Sequence, residues 1–186
     1  MNVVLVGFRC AGKSSVGRTL AERLKCDFVD CDEYIERKTA LSIREIFDIA
    51  GESYFRMLES DAIADLSRRD GIVIATGGGA VLRYKNIRNL KRNSRVFFLE
   101  VGAESAYERF QSDPATQNRR PSLTGKDIFT EIRAQVEFRR PYYQSAADVV
   151  VQTDGRPLEE VVKEILEHLQ GHGLEEHPDE GDAQPA

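Results

Sequence analysis

The chain has 186 residues, of which 41% are hydrophobic and 31% are charged, a composition typical of one globular domain. Its formal net charge of −5 argues against nucleic acid as a partner, because binding to a phosphate backbone requires a basic surface. No apolar run is long enough for a membrane span, and the three cysteines lack a C-x-x-C spacing, so we expect a cytoplasmic protein without a membrane partner.

The first predicted strand, residues 2–7, begins at the N-terminus, which leaves no room for a signal peptide. It leads into Gly-Phe-Arg-Cys-Ala-Gly-Lys-Ser at positions 7–14, which has the G-x-x-x-x-G-K-[ST] spacing of a phosphate-binding loop. An amphipathic pattern over residues 13–25 supplies the helix that such a loop requires. Successive backbone N–H groups form an anion nest there, and the residues predicted to bind the nucleotide are Cys10, Ala11, Gly12, Lys13, Ser14 and Ser15.

Three side chains of this loop carry separate predictions. Lys13 supplies a positive charge for the outer phosphates, and the Ser14 hydroxyl is suited to ligate Mg²⁺. Cys10 lies near the start of the following helix, a place that lowers the pKa of some thiols, although a small residue that fills the loop is the simpler interpretation. The stretch therefore predicts binding of a nucleoside triphosphate.

Strand-like and helical patterns alternate along the rest of the chain. Strands are predicted near residues 2–7, 27–30, 71–76, 95–100 and 148–152. Helices are predicted near residues 13–25, 31–38, 42–49, 52–69, 83–92, 103–112, 126–145 and 157–169. Continuous apolar runs such as Ile72–Ala75 and Val96–Leu99 indicate strands buried on both faces, which is typical of a parallel sheet in a three-layer α/β/α domain. Ligands of such domains bind beyond the carboxyl ends of the strands, so the residues that follow each strand are candidates for the site.

Residues 1–170 form one predicted domain, and two segments depart from its pattern. Residues 112–126 are polar and contain two prolines, which predicts a mobile lid over the site. Residues 171–186 are acidic and contain few apolar side chains, which predicts a disordered tail.

Two carboxylates, Asp30 and Asp32, follow the second strand one residue apart. Asp30 can hold Mg²⁺ through its water shell, and Asp32 can orient an acceptor hydroxyl and take its proton. The alternative is that one of the two caps the helix that starts near Glu33. The pair favours the catalytic interpretation because it faces the sheet edge that carries the phosphate loop.

Three successive glycines, Gly77, Gly78 and Gly79, follow the third strand, where many nucleotide switches carry a Mg²⁺-binding aspartate instead. Three glycines in a row are entropically costly. They predict either a substrate packed directly on backbone N–H groups or a tight turn.

Three arginines are candidates for binding anionic groups. Arg56 precedes Glu59 by three residues on a predicted helix, so an ion pair can hold its guanidinium ready for a carboxylate, with a surface salt bridge as the alternative. Arg120 lies in the predicted lid, from which it can reach transferring phosphates. Arg139 lies near a helix end that faces the same region, with a solvated basic residue as the alternative.

Together these motifs resemble the shikimate kinase family in order and spacing. Besides the phosphate loop, the resemblance rests on five motifs within residues 1–170, namely Phe28-x-Asp30-x-Asp32-x-x-Ile35-Glu36, Gly51-Glu52-x-x-Phe55-Arg56-x-x-Glu59, Thr76-Gly77-Gly78-Gly79-Ala80-Val81, Arg120-Pro121 and Arg139-x-Pro141-x-Tyr143. It implies a P-loop kinase fold of the nucleoside-monophosphate-kinase type, with a five-stranded parallel sheet in the order 2-3-1-4-5. It also implies a reaction in which ATP, with Mg²⁺, phosphorylates shikimate to shikimate 3-phosphate in the chorismate pathway to aromatic amino acids.

The resemblance further implies roles for single residues. Asp32 matches the acid that binds the shikimate hydroxyl and serves as base, and Ser14 and Asp30 match the Mg²⁺ environment. The remaining matches are Arg56 and Arg139 for the substrate carboxylate, Gly77, Gly78 and Gly79 facing the substrate, Arg120 reaching the phosphates from the lid, and Arg109 and Arg156 near the adenine. The additional Arg119 makes the choice between Arg119 and Arg120 as the lid arginine an open one.

The residues alone leave two other functions open. One is another small-molecule kinase on the same fold, such as a gluconate-type kinase or a nucleoside-monophosphate kinase, although the latter would want a denser arginine cluster. The other is a nucleotide-dependent switch, although the guanine-reading sequence Asn-Lys-x-Asp is absent from the chain. We expect a monomer that binds ATP and shikimate.

Overall fold

The computed structural model describes residues 1–113 and 127–171, and these form a single parallel sheet flanked by helices. Within the described residues the strands are β1 (Asn2–Val6), β2 (Asp27–Asp30), β3 (Ile72–Ala75), β4 (Ser94–Glu100) and β5 (Val149–Gln152). Their order is β2-β3-β1-β4-β5, and every neighbouring pair is parallel. The predicted three-layer α/β/α class and the strand order implied by the resemblance are both confirmed.

The helices follow the predicted bounds closely. In the same ranges they are α1 (Lys13–Leu24), α2 (Cys31–Thr39), α3 (Ile43–Leu66), α4 (Tyr84–Leu90), α5 (Ala103–Ser112), α6 (Ile128–Ala146) and α7 (Leu158–Gln170), with a 3₁₀ turn at Ala80–Leu82. The stretches predicted as separate helices, 42–49 and 52–69, are joined in α3, where Gly51 has a φ of 75°. Glycine adopts a positive φ without steric cost, so the predicted break is a kink at this residue. The 3₁₀ turn was not predicted.

The central strands are covered on both faces. Strands β1 and β3 are buried along their whole length, whereas the edge strands β2 and β5 are partly exposed. Val16 and Leu20 of α1 and Ile165 of α7 are buried in the main core together with the side chains of the sheet. The continuous apolar runs of the sequence therefore mark the strands that have helices on both sides.

A smaller apolar cluster joins α2 to α3 beside the main core. Its buried members are Ile35, Ile43, Ile46, Phe55 and Ala62. Helix α3 begins with the predicted capping box, in which Ser42 Oγ accepts a hydrogen bond from Glu45 N at 3.2 Å and Ser42 N donates to Glu45 Oε2 at 2.7 Å. The cap and the cluster together fix α3 next to the carboxyl end of β3, where it presents Arg56 to the site.

Two sequence predictions fall mainly outside the described residues. The predicted lid, 112–126, lies outside them from residue 114 onward, and the predicted tail, 171–186, from residue 172 onward. The division into domain, lid and tail therefore stays a prediction. Across residues 1–113 and 127–171, no helix has the length and apolarity needed to cross a membrane.

Candidate active site

Nine of the predicted site residues line a cavity of about 230 Å³ at the carboxyl edge of the sheet. Its lining combines the phosphate loop with the ends of β2 and β3, and includes Cys10, Gly12, Lys13, Ser14, Ser15, Asp30, Asp32, Gly77 and Gly78. Ala11 is buried at 1% exposure, and its N–H donates to Phe8 O at 3.2 Å. One cavity thus joins a loop suited to phosphates with a carboxylate and a run of glycines.

Lys13 folds back over the phosphate loop. Its Nζ donates hydrogen bonds to Gly7 O at 2.9 Å and to Phe8 O at 2.8 Å. These bonds hold the ammonium group against the backbone of the loop, and because Lys13 also lines the cavity it supplies a positive charge there.

Cys10 occupies a strained position in the loop, with a φ of 64° in the left-handed region. Burial raises the pKa of its thiol, and this outweighs the opposing effect of the nearby Arg9 and Lys13 charges. The interpretation that the helix start lowers this pKa is therefore wrong. The thiol fills space in the loop, and the Cys10 carbonyl accepts a hydrogen bond from Arg109 Nη1 at 3.1 Å.

Asp30 caps the helix, as the alternative interpretation of the sequence had it, and its second carboxylate oxygen stays directed to the phosphate loop. Its Oδ1 caps α2 by accepting hydrogen bonds from Asp32 N at 2.9 Å and Glu33 N at 3.4 Å. Its Oδ2 accepts a hydrogen bond from Ser14 Oγ at 2.7 Å. A hydroxyl and a carboxylate held side by side next to the phosphate loop are oxygen ligands of the kind that Mg²⁺ prefers, so this pair fits the metal.

The glycine run has a physical reason that the sequence did not reveal. A Cβ added at Gly77 would lie 2.6 Å from Glu59 Oε1 and 3.1 Å from Asp32 Oδ1, and one added at Gly79 would lie 2.7 Å from Arg56 Cζ. Side chains at these positions would displace the charged groups of the site. The run therefore keeps space for three polar side chains. It also forms a turn, in which Ala80 N donates a hydrogen bond to Gly77 O at 3.1 Å.

Arg56 is held by carboxylates on its own helix. Its Nη1 lies 2.9 Å from Glu59 Oε2, and its Nη2 lies 3.0 Å from Glu52 Oε1. Burial disfavours the charged guanidinium, but the ion pairs with Glu59 and Glu52 outweigh it and raise the pKa of Arg56. The predicted pair with Glu59 is confirmed, and it is not a surface salt bridge, because the Arg56 and Glu59 side chains are 12% and 0% exposed.

Arg139 approaches the glycine run from α6. Its Nη1 donates a hydrogen bond to Gly78 O at 3.3 Å, and its Cζ lies 5.8 Å from the centre of the Phe8 ring. Tyr143, one helical turn further along α6, donates from its hydroxyl to the same carbonyl at 2.5 Å. Arg56 and Arg139 therefore reach neighbouring glycines from two different helices, which is more than a solvated basic residue would do.

Of the remaining predicted arginines, Arg109 and Arg156 lie near the turn after β5, and the third is outside the described residues. Besides the Cys10 carbonyl, Arg109 binds Thr153, with Nη2 donating to its carbonyl at 2.6 Å. Arg156 pairs with Glu164 at 2.5 Å. Arg120 lies outside the described residues. Arg109 and Arg156 both lie beside the turn that follows β5. Arg109 also links this turn to the phosphate loop, because it binds Thr153 as well as the Cys10 carbonyl.

Arg9 is a lining residue that the sequence reasoning missed. Its guanidinium lies over the Phe8 ring at 5.6 Å and the Phe110 ring at 5.3 Å, and its Nη2 lies 3.9 Å from Glu131 Oε1. It occupies a variable position of the loop pattern, so no spacing rule points to it.

The model of the shikimate kinase family matches residues 9–170. The chain belongs to the shikimate kinase family. One relative is the shikimate kinase of Symbiobacterium thermophilum. It is 44% identical to this chain over 173 residues, which are 93% of this chain and 98% of the relative. A second relative with that name, from Pseudomonas entomophila, is 44% identical over 169 residues, 91% of this chain and 96% of the relative.

A solved structure gives the same result at the level of the fold. Shikimate kinase from Acinetobacter baumannii in complex with shikimate is 33% identical to this member of the family, with a TM-score of 0.85 over 94% of this chain and 95% of that chain. Membership of the shikimate kinase family favours shikimate kinase activity over the gluconate kinase activity that a P-loop kinase fold also allows.

Proposed function

We propose that the protein is a shikimate kinase, which transfers the γ-phosphoryl group of ATP to the 3-hydroxyl of shikimate and yields ADP and shikimate 3-phosphate for chorismate biosynthesis. The observation that carries this proposal is the cavity in which the phosphate loop faces Asp32 and the glycine run, with Arg56 and Arg139 against that run. The loop fits a polyphosphate donor, and the carboxylate with two arginines fits an acceptor that carries hydroxyl groups and one carboxylate.

In this proposal the donor half of the site binds ATP through the phosphate loop. The backbone N–H groups of the loop and the Lys13 ammonium bind the phosphates, because both already present positive charge to the cavity. Ser14 and Asp30 would hold Mg²⁺ together with phosphate oxygens. Mg²⁺ bound there neutralises part of the negative charge on the phosphates.

The acceptor half orients shikimate. Arg56 and Arg139 bind its carboxylate through their guanidinium N–H groups, because both guanidinium groups lie against the glycine run. This anchor determines which ring hydroxyl meets Asp32. Asp32 then accepts a hydrogen bond from that hydroxyl and takes its proton as the oxygen attacks the γ-phosphorus.

Three further assignments are predictions. Arg120 would stabilise the transferring phosphoryl group, and Arg109 and Arg156 would lie near the adenine. The monomeric state and the cytoplasmic location are also expectations, which gel filtration and cell fractionation would test.

The function is tested by measuring ADP release with ATP and Mg²⁺, with and without shikimate. We expect release that depends on shikimate, together with a product that carries one phosphate at the 3-hydroxyl. Gluconate and nucleoside monophosphates serve as alternative acceptors in the same assay. Turnover with gluconate but not with shikimate would contradict the proposal, and so would ADP release that no acceptor accelerates.

We expect Arg139→Ala to raise the KM for shikimate about 100-fold, because it removes about 3 kcal/mol of charged hydrogen bonding to the carboxylate. The KM for ATP should change little. Arg133→Ala is the matched control, because Arg133 lies on the same helix in an exposed pair with Glu137. An unchanged KM for shikimate in Arg139→Ala would remove Arg139 from the site.

Gly79→Ala is expected to raise the KM for shikimate about tenfold, because the new methyl group would displace the Arg56 guanidinium from its ion pairs. Gly171→Ala is the control, since a Cβ there meets only ordinary contacts at 3.7 Å or more. Steady-state kinetics with each substrate varied in turn measures both variants. Equal KM values for the two variants would show that the close approach at Gly79 has no part in binding.

A further inference from the structure

Glu100 is a buried carboxylate at the carboxyl end of β4 for which the proposed reaction has no task. The residue is 7% exposed. Its Oε1 lies 2.7 Å from Arg140 Nε on α6, and its Oε2 accepts a hydrogen bond from the side chain of Gln152 on β5. A carboxylate removed from water to this degree is retained at a cost unless it is paired, so the contact with Arg140 accounts for its burial.

Arg140 directly follows the arginine proposed to bind the substrate carboxylate. Successive side chains on a helix point about 100° apart, so Arg139 and Arg140 reach different parts of the sheet edge. Arg139 reaches Gly78, and Arg140 reaches Glu100. Fixing one of these side chains therefore fixes the rotation of the helical turn that carries the other.

This turn of α6 is weakly held by its own backbone. Pro141 lies inside the helix, and a proline there provides no N–H for the hydrogen bond to the residue four positions earlier. The side chain of Arg139 adds little support, because the hydrogen bond from its Nη1 to Gly78 O is 3.3 Å long and its buried Nε has no hydrogen-bond partner among the described residues. The position of Arg139 must then depend on contacts made by its neighbours on the helix.

Two such contacts lie on either side of Pro141. Tyr143 donates to Gly78 O at 2.5 Å and stacks on Phe98 at 5.0 Å between ring centres. The Arg140–Glu100 pair supplies the second contact, and it anchors the turn to β4 rather than to the glycine run.

We propose that Glu100 is a positioning residue, which through Arg140 holds the Pro141-containing turn of α6 so that Arg139 is aimed at the substrate carboxylate. The proposal rests on the function proposed above. Both carboxylate oxygens of Glu100 are engaged, Oε1 by Arg140 and Oε2 by Gln152, so Glu100 acts through α6.

The test uses Glu100→Gln, which removes one charge of the pair at nearly constant volume, and Arg140→Gln, which removes the other charge with a shorter side chain. Both variants are expected to raise the KM for shikimate about five- to tenfold, while kcat and the KM for ATP stay within about twofold of the wild type. Arg140→Lys keeps the charge and should give an intermediate KM. Arg140 is half exposed and Arg140→Lys keeps the charge that pairs with Glu100, so this variant keeps the test decisive where Glu100→Gln proves unstable.

Glu137→Gln is the matched control, because Glu137 forms an exposed pair with Arg133 at 3.0 Å on the same helix. It should leave the KM for shikimate unchanged. The double variant Glu100→Gln/Arg139→Ala should have the same KM for shikimate as Arg139→Ala alone, because Glu100 acts only through Arg139.

The outcomes separate this inference from the proposed function. A shikimate-dependent wild type whose Arg140→Gln and Glu100→Gln variants behave like Glu137→Gln would overturn the inference and leave the function intact. A lower melting temperature with an unchanged KM for shikimate, or additive effects in the double variant, would also overturn it by showing a purely structural role. A wild type that releases no ADP with shikimate would overturn the proposed function, and the inference with it.

Discussion

The Lys13→Ala variant is expected to release no ADP above background with ATP, Mg²⁺ and shikimate. The Lys13 ammonium is a positive charge that the phosphate loop presents to the cavity, and it also binds the loop carbonyls of Gly7 and Phe8. Its removal takes away charge stabilisation from the transferring phosphoryl group, a loss for which we expect a fall in kcat of at least about 10³-fold.

Lys163→Ala serves as the control, because Lys163 is an exposed lysine paired with Glu167 on α7. The melting temperatures of both variants establish that each is folded. A folded Lys13→Ala variant with a kcat within tenfold of the wild type would contradict the assignment of the loop as the phosphate-binding site.

The Asp32→Ala variant is expected to lose kcat while it still binds ATP. A general base of this kind contributes about 10² to 10⁴ in rate, and Asp32 lies next to Gly77 at the acceptor side of the cavity. Binding of a fluorescent nucleotide should be nearly unchanged, because the phosphate loop remains complete. The more conservative Asp32→Asn variant should lose almost as much, since an amide cannot take the proton.

Glu33→Gln is the control for this residue. Glu33 lies on the same turn of α2 and pairs with Arg18 at 2.7 Å, on an exposed part of the helix. It should keep the kcat of the wild type. A normal kcat in Asp32→Asn would show that Asp32 does not act as the base.

The sheet was predictable because burial leaves a local trace in the sequence. Strands such as Ile72–Ala75 are apolar at every position because helices cover both faces. This pattern is visible in the strand's own sequence, whichever elements pack against it. The break predicted near Gly51 was also local, since a positive φ favours glycine. The order of the strands, in contrast, came from the resemblance to a family.

The reason for the glycine run was not predictable from the sequence. The spaces at Gly77 and Gly79 are occupied by Glu59 and Arg56 of the preceding helix α3, and only the folded chain brings these side chains against the glycines. The pair of Glu100 and Arg140 was missed for the same reason, because a single glutamate at the end of a strand forms no motif. Spacing in the sequence therefore predicted the site residues at the starts of α1 and α2. It did not predict the contacts between side chains of different elements.

The central place of β1 in the sheet has a consequence for the way the chain reaches its fold. Strand β1 pairs with β3 through Val3 and Val73 and with β4 through Val4 and Val96. Because β1 precedes both neighbours by many residues, it is synthesised long before them. It is an uncharged segment of mostly β-branched residues with no proline, a composition that favours aggregation. Pairings between such distant segments also slow folding. We therefore expect the yield of refolding from denaturant to fall steeply with protein concentration, and chaperones that shield β1 to restore it.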